Sequence, residues 1–88
     1  MEVVNAFGAV LRERRLQAEL TQEQLALEAD IRRTYVSMLE LGQHQPTLNM
    51  LFTLAKALGC APSDLLLEVE RRLATARRKE KRARAKSK

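Results

Sequence analysis

The chain has 88 residues, 45 % of them hydrophobic, and a formal net charge of +5; this suits one small domain with an appendage and argues against disorder by composition. Phe7, Tyr35 and Phe52 are the only aromatics, whereas Ala, Leu, Glu, Gln, Lys and Arg dominate, a balance that disfavours a β-sandwich or barrel and indicates an all-α fold. A single cysteine (Cys60) and a single histidine (His44) leave no cluster for a structural metal and suit a reducing compartment, no apolar run approaches the ~20 residues that span a bilayer, and no signal-peptide pattern opens the chain, so the expected location is the cytoplasm.

Asn5 can cap a first helix, in which Phe7, Val10 and Leu11 follow the spacing of one buried face. That helix runs to about Ala18, with Leu20 anchoring its exit. Thr21 opens a second helix. Thr21-Gln22-Glu23-Gln24 reads as a capping box, in which Thr21 and Gln24 satisfy each other's free backbone N–H groups. Leu25 and Ala29 face inward with Ala26 beside them, and the helix ends near Ala29. Asp30-Ile31 makes a tight turn with Ile31 as its buried plug. A third helix covers roughly 33–41, with Val36 and Leu39 inward and Tyr35 at the edge of the core. Gly42 ends it in the left-handed region, and Gln43-His44-Gln45-Pro46 is a loop.

Thr47 caps a fourth helix whose apolar residues are Leu48, Leu51, Phe52, Ala55 and Leu58, and Gly59 stops it. Pro62 fits the first turn of a fifth helix, with Leu65, Leu66, Val69 and Leu73 on its apolar face. The composition then changes. Residues 71–88 hold ten Lys/Arg and one acid, Glu80, a net of +9; residues 1–70 hold six Lys/Arg and ten Asp/Glu, a net of −4. The chain therefore divides into a domain over 1–70 and a basic C-terminal tail over 71–88, helical or disordered. A basic tail on an acidic body points to a polyanion. It suits added phosphate contacts better than a membrane surface, since no apolar anchor accompanies it; a merely solvated terminus is the alternative.

Two short helices joined by a tight turn form a helix-turn-helix, a unit that can lay its second helix in the major groove of DNA, where base edges display a full donor/acceptor code. The residue pattern is more specific than the spacing. It runs Phe7-Gly8, Leu11-Arg12, Arg15, Leu20-Thr21-Gln22-Glu23-Gln24-Leu25-Ala26, Ile31, Tyr35-Val36-Ser37-Met38-Leu39-Glu40-Leu41-Gly42, Pro46-Thr47, Leu51 and Leu54-Ala55-Lys56-Ala57-Leu58-Gly59. Over about residues 4–70 it resembles the lambda-repressor-like, Xre-type (Cro/C1) regulators, among which restriction–modification controllers and small phage or plasmid repressors share this size. The resemblance implies a five-helix fold and a dimeric, sequence-specific regulator of transcription bound to double-stranded DNA.

Carried over by position, the resemblance implies that Gln22 contacts a phosphate or a neighbouring base. It implies that Arg33, Thr34, Ser37 and Met38 face bases, and that Arg15 and Glu40 form a structural ion pair. Arg33 at a base-facing position predicts a G·C pair in each half-site. Met38 could equally be core, and Gln43 and His44 lie in the loop where backbone contacts are expected. Three positions depart from the family pattern. Asp30 stands where glycine is common. Arg32 replaces a Ser or Thr N-cap, which suggests that it trades helix stability for a DNA contact. Leu41 replaces a polar or basic residue. Leu65, Leu66, Val69 and Leu73 are partly core, and the stripe they form past the domain suggests a dimer seam. Cys60 reads as a small buried residue rather than a redox sensor. The competing function is a protein-interaction module, an antitoxin or bridging factor with a protein partner and DNA secondary. An enzyme is not indicated: the sequence has no phosphate-binding glycine loop, no metal cluster and no nucleophile–base pair. No cofactor is expected. RNA is disfavoured by the scarcity of stacking aromatics.

Overall fold

Most helix ends are set by signals written within a few residues of them. The computed structural model describes the backbone of residues 1–86 and side chains as far as Arg84; the expected tail reaches beyond the described residues at Ser87 and Lys88. The helices are α1 (Val3–Gln17), α2 (Gln22–Ala29), α3 (Arg33–Glu40), α4 (Leu48–Leu58) and α5 (Pro62–Lys86), with no strand among the described residues. The all-α fold of five helices expected from sequence is the one observed.

Thr21 and Gln24 form the expected capping box, at 3.0 Å and 2.8 Å. Thr47 caps α4 by accepting from the Met50 N–H at 3.0 Å. The Asp64 carboxylate accepts from the Ala61 N–H at the start of α5. Four helix ends share one device, a left-handed residue followed by an N–H that reaches back five residues. The bonds run Leu20 to the Arg15 carbonyl, Ile31 to Ala26, Gln43 to Met38 and Cys60 to Ala55. The left-handed residues are Glu19, Asp30, Gly42 and Gly59.

The core is a single cluster in which Val10, Leu11, Leu25, Val36, Leu39, Leu54 and Leu65 are fully buried. Gly8 sets the approach of α1 to α3: a Cβ there would lie 2.6 Å from the Leu39 and Glu40 carbonyl oxygens. α5 lies along α1 and is clamped to it by ion pairs, Arg14 to Glu68 at 2.8 Å and Arg72 to Glu13.

Three expectations are corrected. α1 starts before Asn5, with Glu2 at the extended cap position, because the Glu2 carbonyl already accepts from the Asn5 and Ala6 N–H groups. Ile31 is half-buried rather than a buried plug. On α4, whose core row the sequence leaves open, Leu48 and Phe52 point outward, 73 % and 57 % exposed, because the row Leu51, Leu54, Ala55 and Leu58 meets the core. Leu65 and Val69 are core residues of the chain itself, 0 % and 5 % exposed, and are not available to a seam. Of the expected set only Leu66 and part of Leu73 keep surface. α5 also continues unbroken through residue 71, so the acidic body and the basic segment are joined by continuous helix.

Candidate nucleic-acid interface

The second helix of the pair presents its outer face because its inner face is apolar. Val36 and Leu39 of α3 pack with Leu25, Ala26 and Ala29 of α2. A helix turns about 100° per residue, so Arg33, Thr34, Ser37, Met38 and Leu41 fall on the opposite side. Arg33, Thr34 and Leu41 are exposed, Ser37 and Met38 half-buried. The four expected base-facing residues thus share one surface, and Leu41, 64 % exposed, extends it by one turn. Arg32 sits at the N-cap with extended backbone and no side-chain capping bond, so its exposed guanidinium stands at the same end as Arg33.

Behind this surface lies a buried polar knot. Arg15 Nε and Nη2 donate to the two carboxylate oxygens of Glu40 at 2.6 Å and 3.0 Å, and Nη1 donates to the Leu20 carbonyl at 2.9 Å. The paired side chains are 10 % and 4 % exposed. The hydrogen bonds that Arg15 donates to Glu40 hold its guanidinium above its ordinary value, against the opposing effect of burial. Gln22 Nε2 donates to the same Glu40 at 3.1 Å. The knot ties the exit of α1, the start of α2 and the end of α3 together, and no buried side-chain nitrogen or oxygen among the described residues lacks a partner.

Sequence reasoning brought Arg15 and Glu40 together; it did not see that Gln22 joins them. Gln43 and His44 are exposed beyond the end of α3, and the His44 ring tilts against Tyr35 with centroids 5.7 Å apart. Among the described residues no group of His, Cys, Asp and Glu is placed to hold a metal ion, and no single helix is long and apolar enough to cross a membrane. Cys60 is half-buried, and burial raises its thiol above the ordinary value. What sequence reasoning missed is a second surface. Val3, Val4, Leu48 and Leu66 line an apolar groove of about 230 Å³, and Phe52 and Leu67 are exposed on the helices beside it. An apolar periodicity on both sides of α4 was the available signal.

This chain belongs to the helix-turn-helix family, whose model HTH_3 matches residues 11–65, and its architecture is that of the Xre/Cro-C1-type DNA-binding transcription regulators. Its relatives narrow the class. It is 43 % identical over 61 residues to the control protein C.BamHI of Bacillus amyloliquefaciens, covering 68 % of this chain and 75 % of that one. The crystal structure of the restriction–modification controller protein C.AhdI from Aeromonas hydrophila superposes with a TM-score of 0.69 and 39 % identity, over 70 % of this chain and 94 % of that one. The clp gene regulator ClgR from Corynebacterium glutamicum superposes with a TM-score of 0.90 and 29 % identity, over 97 % of this chain and 90 % of that one.

Proposed function

We propose that the protein is a sequence-specific regulator of transcription that binds double-stranded DNA as a homodimer, with α3 in the major groove. The observation that carries this reading is the outer face of α3, where Arg33, Thr34, Ser37 and Met38 project together from a helix braced by the Arg15–Glu40–Gln22 knot. Small and polar residues with one Arg fit a groove whose guanine edges accept two hydrogen bonds from a guanidinium. The Arg15–Glu40 pair is structural in this reading, and Gln22 keeps one amide N–H and its carbonyl oxygen for the DNA side. Arg32, Gln43 and His44 supply contacts to the backbone at the two ends of α3. The relatives named as control proteins support a controller of this type, acting in the cytoplasm without a cofactor or a catalytic step.

The test is binding of the full chain to duplex from the DNA upstream of its own gene and to random duplex. Arg33→Ala should weaken binding to the first by about 1–3 kcal/mol, roughly 5- to 150-fold, and leave the second nearly unchanged. Equal affinity of the natural chain for both duplexes excludes the reading. The exposure of Leu41 and of Leu27 on α2, 64 % and 77 %, favours one alternative, a protein-interaction module. Saturable capture of a protein partner in the absence of DNA is its signature.

A further inference from the structure

We infer that the last part of α5 is a rigid basic arm that grips the phosphate backbone of DNA outside the stretch read by α3; the inference rests on the reading of this chain as a DNA-binding protein. α5 has 25 residues, about 37 Å at helical rise. Leu73 and Ala76 are the last half-buried side chains of α5, and every described side chain from Arg77 to Arg84 is exposed. The molecule is accordingly drawn out, 51 Å long against 24 Å and 23 Å.

The charge is arranged by face. Leu65, Val69, Leu73, Ala76 and Glu80 recur at helical spacing along the body side, and Glu80 accepts from the Met1 amino group at 3.3 Å. Arg71, Arg77, Arg78, Lys81 and Arg82 fall away from that side, within an arc of roughly 140° at helical spacing; Glu70 lies in the same arc near its start, and Lys79 and Arg84 flank it, so beyond Glu70 the outward half of the helix carries cations without an acid. No carboxylate among the described residues forms an ion pair with any of these five. A helix whose outward half carries cations that no carboxylate pairs is complementary to a line of phosphates. A membrane-surface helix needs a continuous apolar face opposite its charges, and beyond Leu73 the body side offers only Ala76 and Ala83. The arm also answers an electrostatic problem: residues 1–70 carry six Lys/Arg against ten Asp/Glu, a net charge that opposes long-range approach to a polyanion, and the arm reverses the sign of the whole.

The experiment measures affinity of the full chain for a random-sequence duplex and for the upstream duplex between about 50 and 200 mM salt. The variant combines Arg71→Gln, Arg77→Gln, Arg78→Gln, Lys81→Gln and Arg82→Gln; Gln is as good a helix former as Arg or Lys, and circular dichroism checks that α5 persists. Each lost phosphate contact lowers the slope of log K against log salt by ~0.9. The expected result is a slope lower by about 2 or more on both duplexes, a salt dependence roughly 16-fold shallower across that range. The preference for the upstream duplex should be retained. A companion variant with Lys at the four Arg positions should keep the natural slope. A smaller change in slope overturns the inference, as does binding of the natural chain to phosphatidylserine vesicles that the Gln variant abolishes while its DNA slope stays unchanged. Because the random duplex needs no operator, failure of the arm is seen separately from failure of sequence-specific reading, which shows as no preference for the upstream duplex in the natural chain.

Discussion

At the scale of single residues, the side chain that matters most to the fold is Glu40. It accepts from Arg15 twice and from Gln22 once, with only 4 % of its side chain exposed. Glu40→Gln leaves a buried guanidinium facing a neutral amide, and breaking a buried pair in this way costs about 3 kcal/mol, a large share of a small domain's stability. Urea denaturation should register that loss, and a change under about 0.5 kcal/mol would show the pair to be no more than a surface contact. The sign of the Arg15 shift fixes the alkaline behaviour. A guanidinium raised above its ordinary value contributes fully below that value and loses its contribution only as pH rises through the folded-state value, so the stability difference between the two proteins should stay constant from neutral pH into the alkaline range. Glu19 offers a gain instead. It holds φ 58° at the exit of α1, a conformation that disfavours a residue with a Cβ. Glu19→Gly should stabilise the chain by about 1 kcal/mol and raise Tm by roughly 4–8 °C. Asp30→Gly should gain less, since Asp tolerates the left-handed region better. A fall in Tm for Glu19→Gly would mean that the Glu side chain supplies more than its backbone strain removes.

At the scale of elements, α3 is the helix whose start defies the local rules. Arg32 occupies the cap without a capping bond, and a cation there opposes the helix dipole. Arg32→Ser should add a cap worth about 1 kcal/mol. If Arg32 grips a phosphate, the same change lowers DNA affinity while stability rises; unchanged affinity in the stabilised variant assigns Arg32 no role at the interface. The elements also show why some of the molecule was legible in the sequence and some was not. The Thr21–Gln24 box and the Gly42 and Gly59 stops are decided within about six residues and were read correctly, as was the turn at Asp30 apart from the depth of Ile31. The pairing of Arg15 with Glu40 spans 25 residues and came through family resemblance, not through any local pattern. Gln22 lies 18 residues from Glu40, and nothing local ties the two. The core face of α4 stayed open in the sequence because that helix is apolar on two sides. Leu48 and Phe52 form one i, i+4 row and Leu51, Ala55 and Leu58 the other, and periodicity alone does not say which row meets the core. α5 posed the converse difficulty, since a change from apolar to basic composition marks a change of solvent exposure, not an end of the helix.

At the scale of the whole molecule, the outward row of α4 changes where a second copy would dock. Leu48 and Leu66 line the apolar groove that also holds Val3 and Val4, and Phe52 lies one turn beyond Leu48. Leu65 and Val69, expected at the seam, are spent inside the chain. A self-complementary interface buries each such side chain twice, and a fully buried Leu contributes ~1.5–3 kcal/mol. Leu48→Gln with Leu66→Gln removes four such contacts from the dimer. Even if each is only partly covered, the loss is about 3 kcal/mol or more, roughly 100-fold or more in the dimer dissociation constant. Both residues are exposed in the single chain, so the variant should keep its Tm at low concentration; Leu65→Gln, by contrast, should unfold it. Sedimentation equilibrium over a concentration series distinguishes the cases. A natural chain that dimerises and a double variant that stays monomeric and folded assign the seam to α4 and the start of α5. A natural chain that remains monomeric with or without DNA removes the homodimer from the proposed function and leaves this groove to a protein partner.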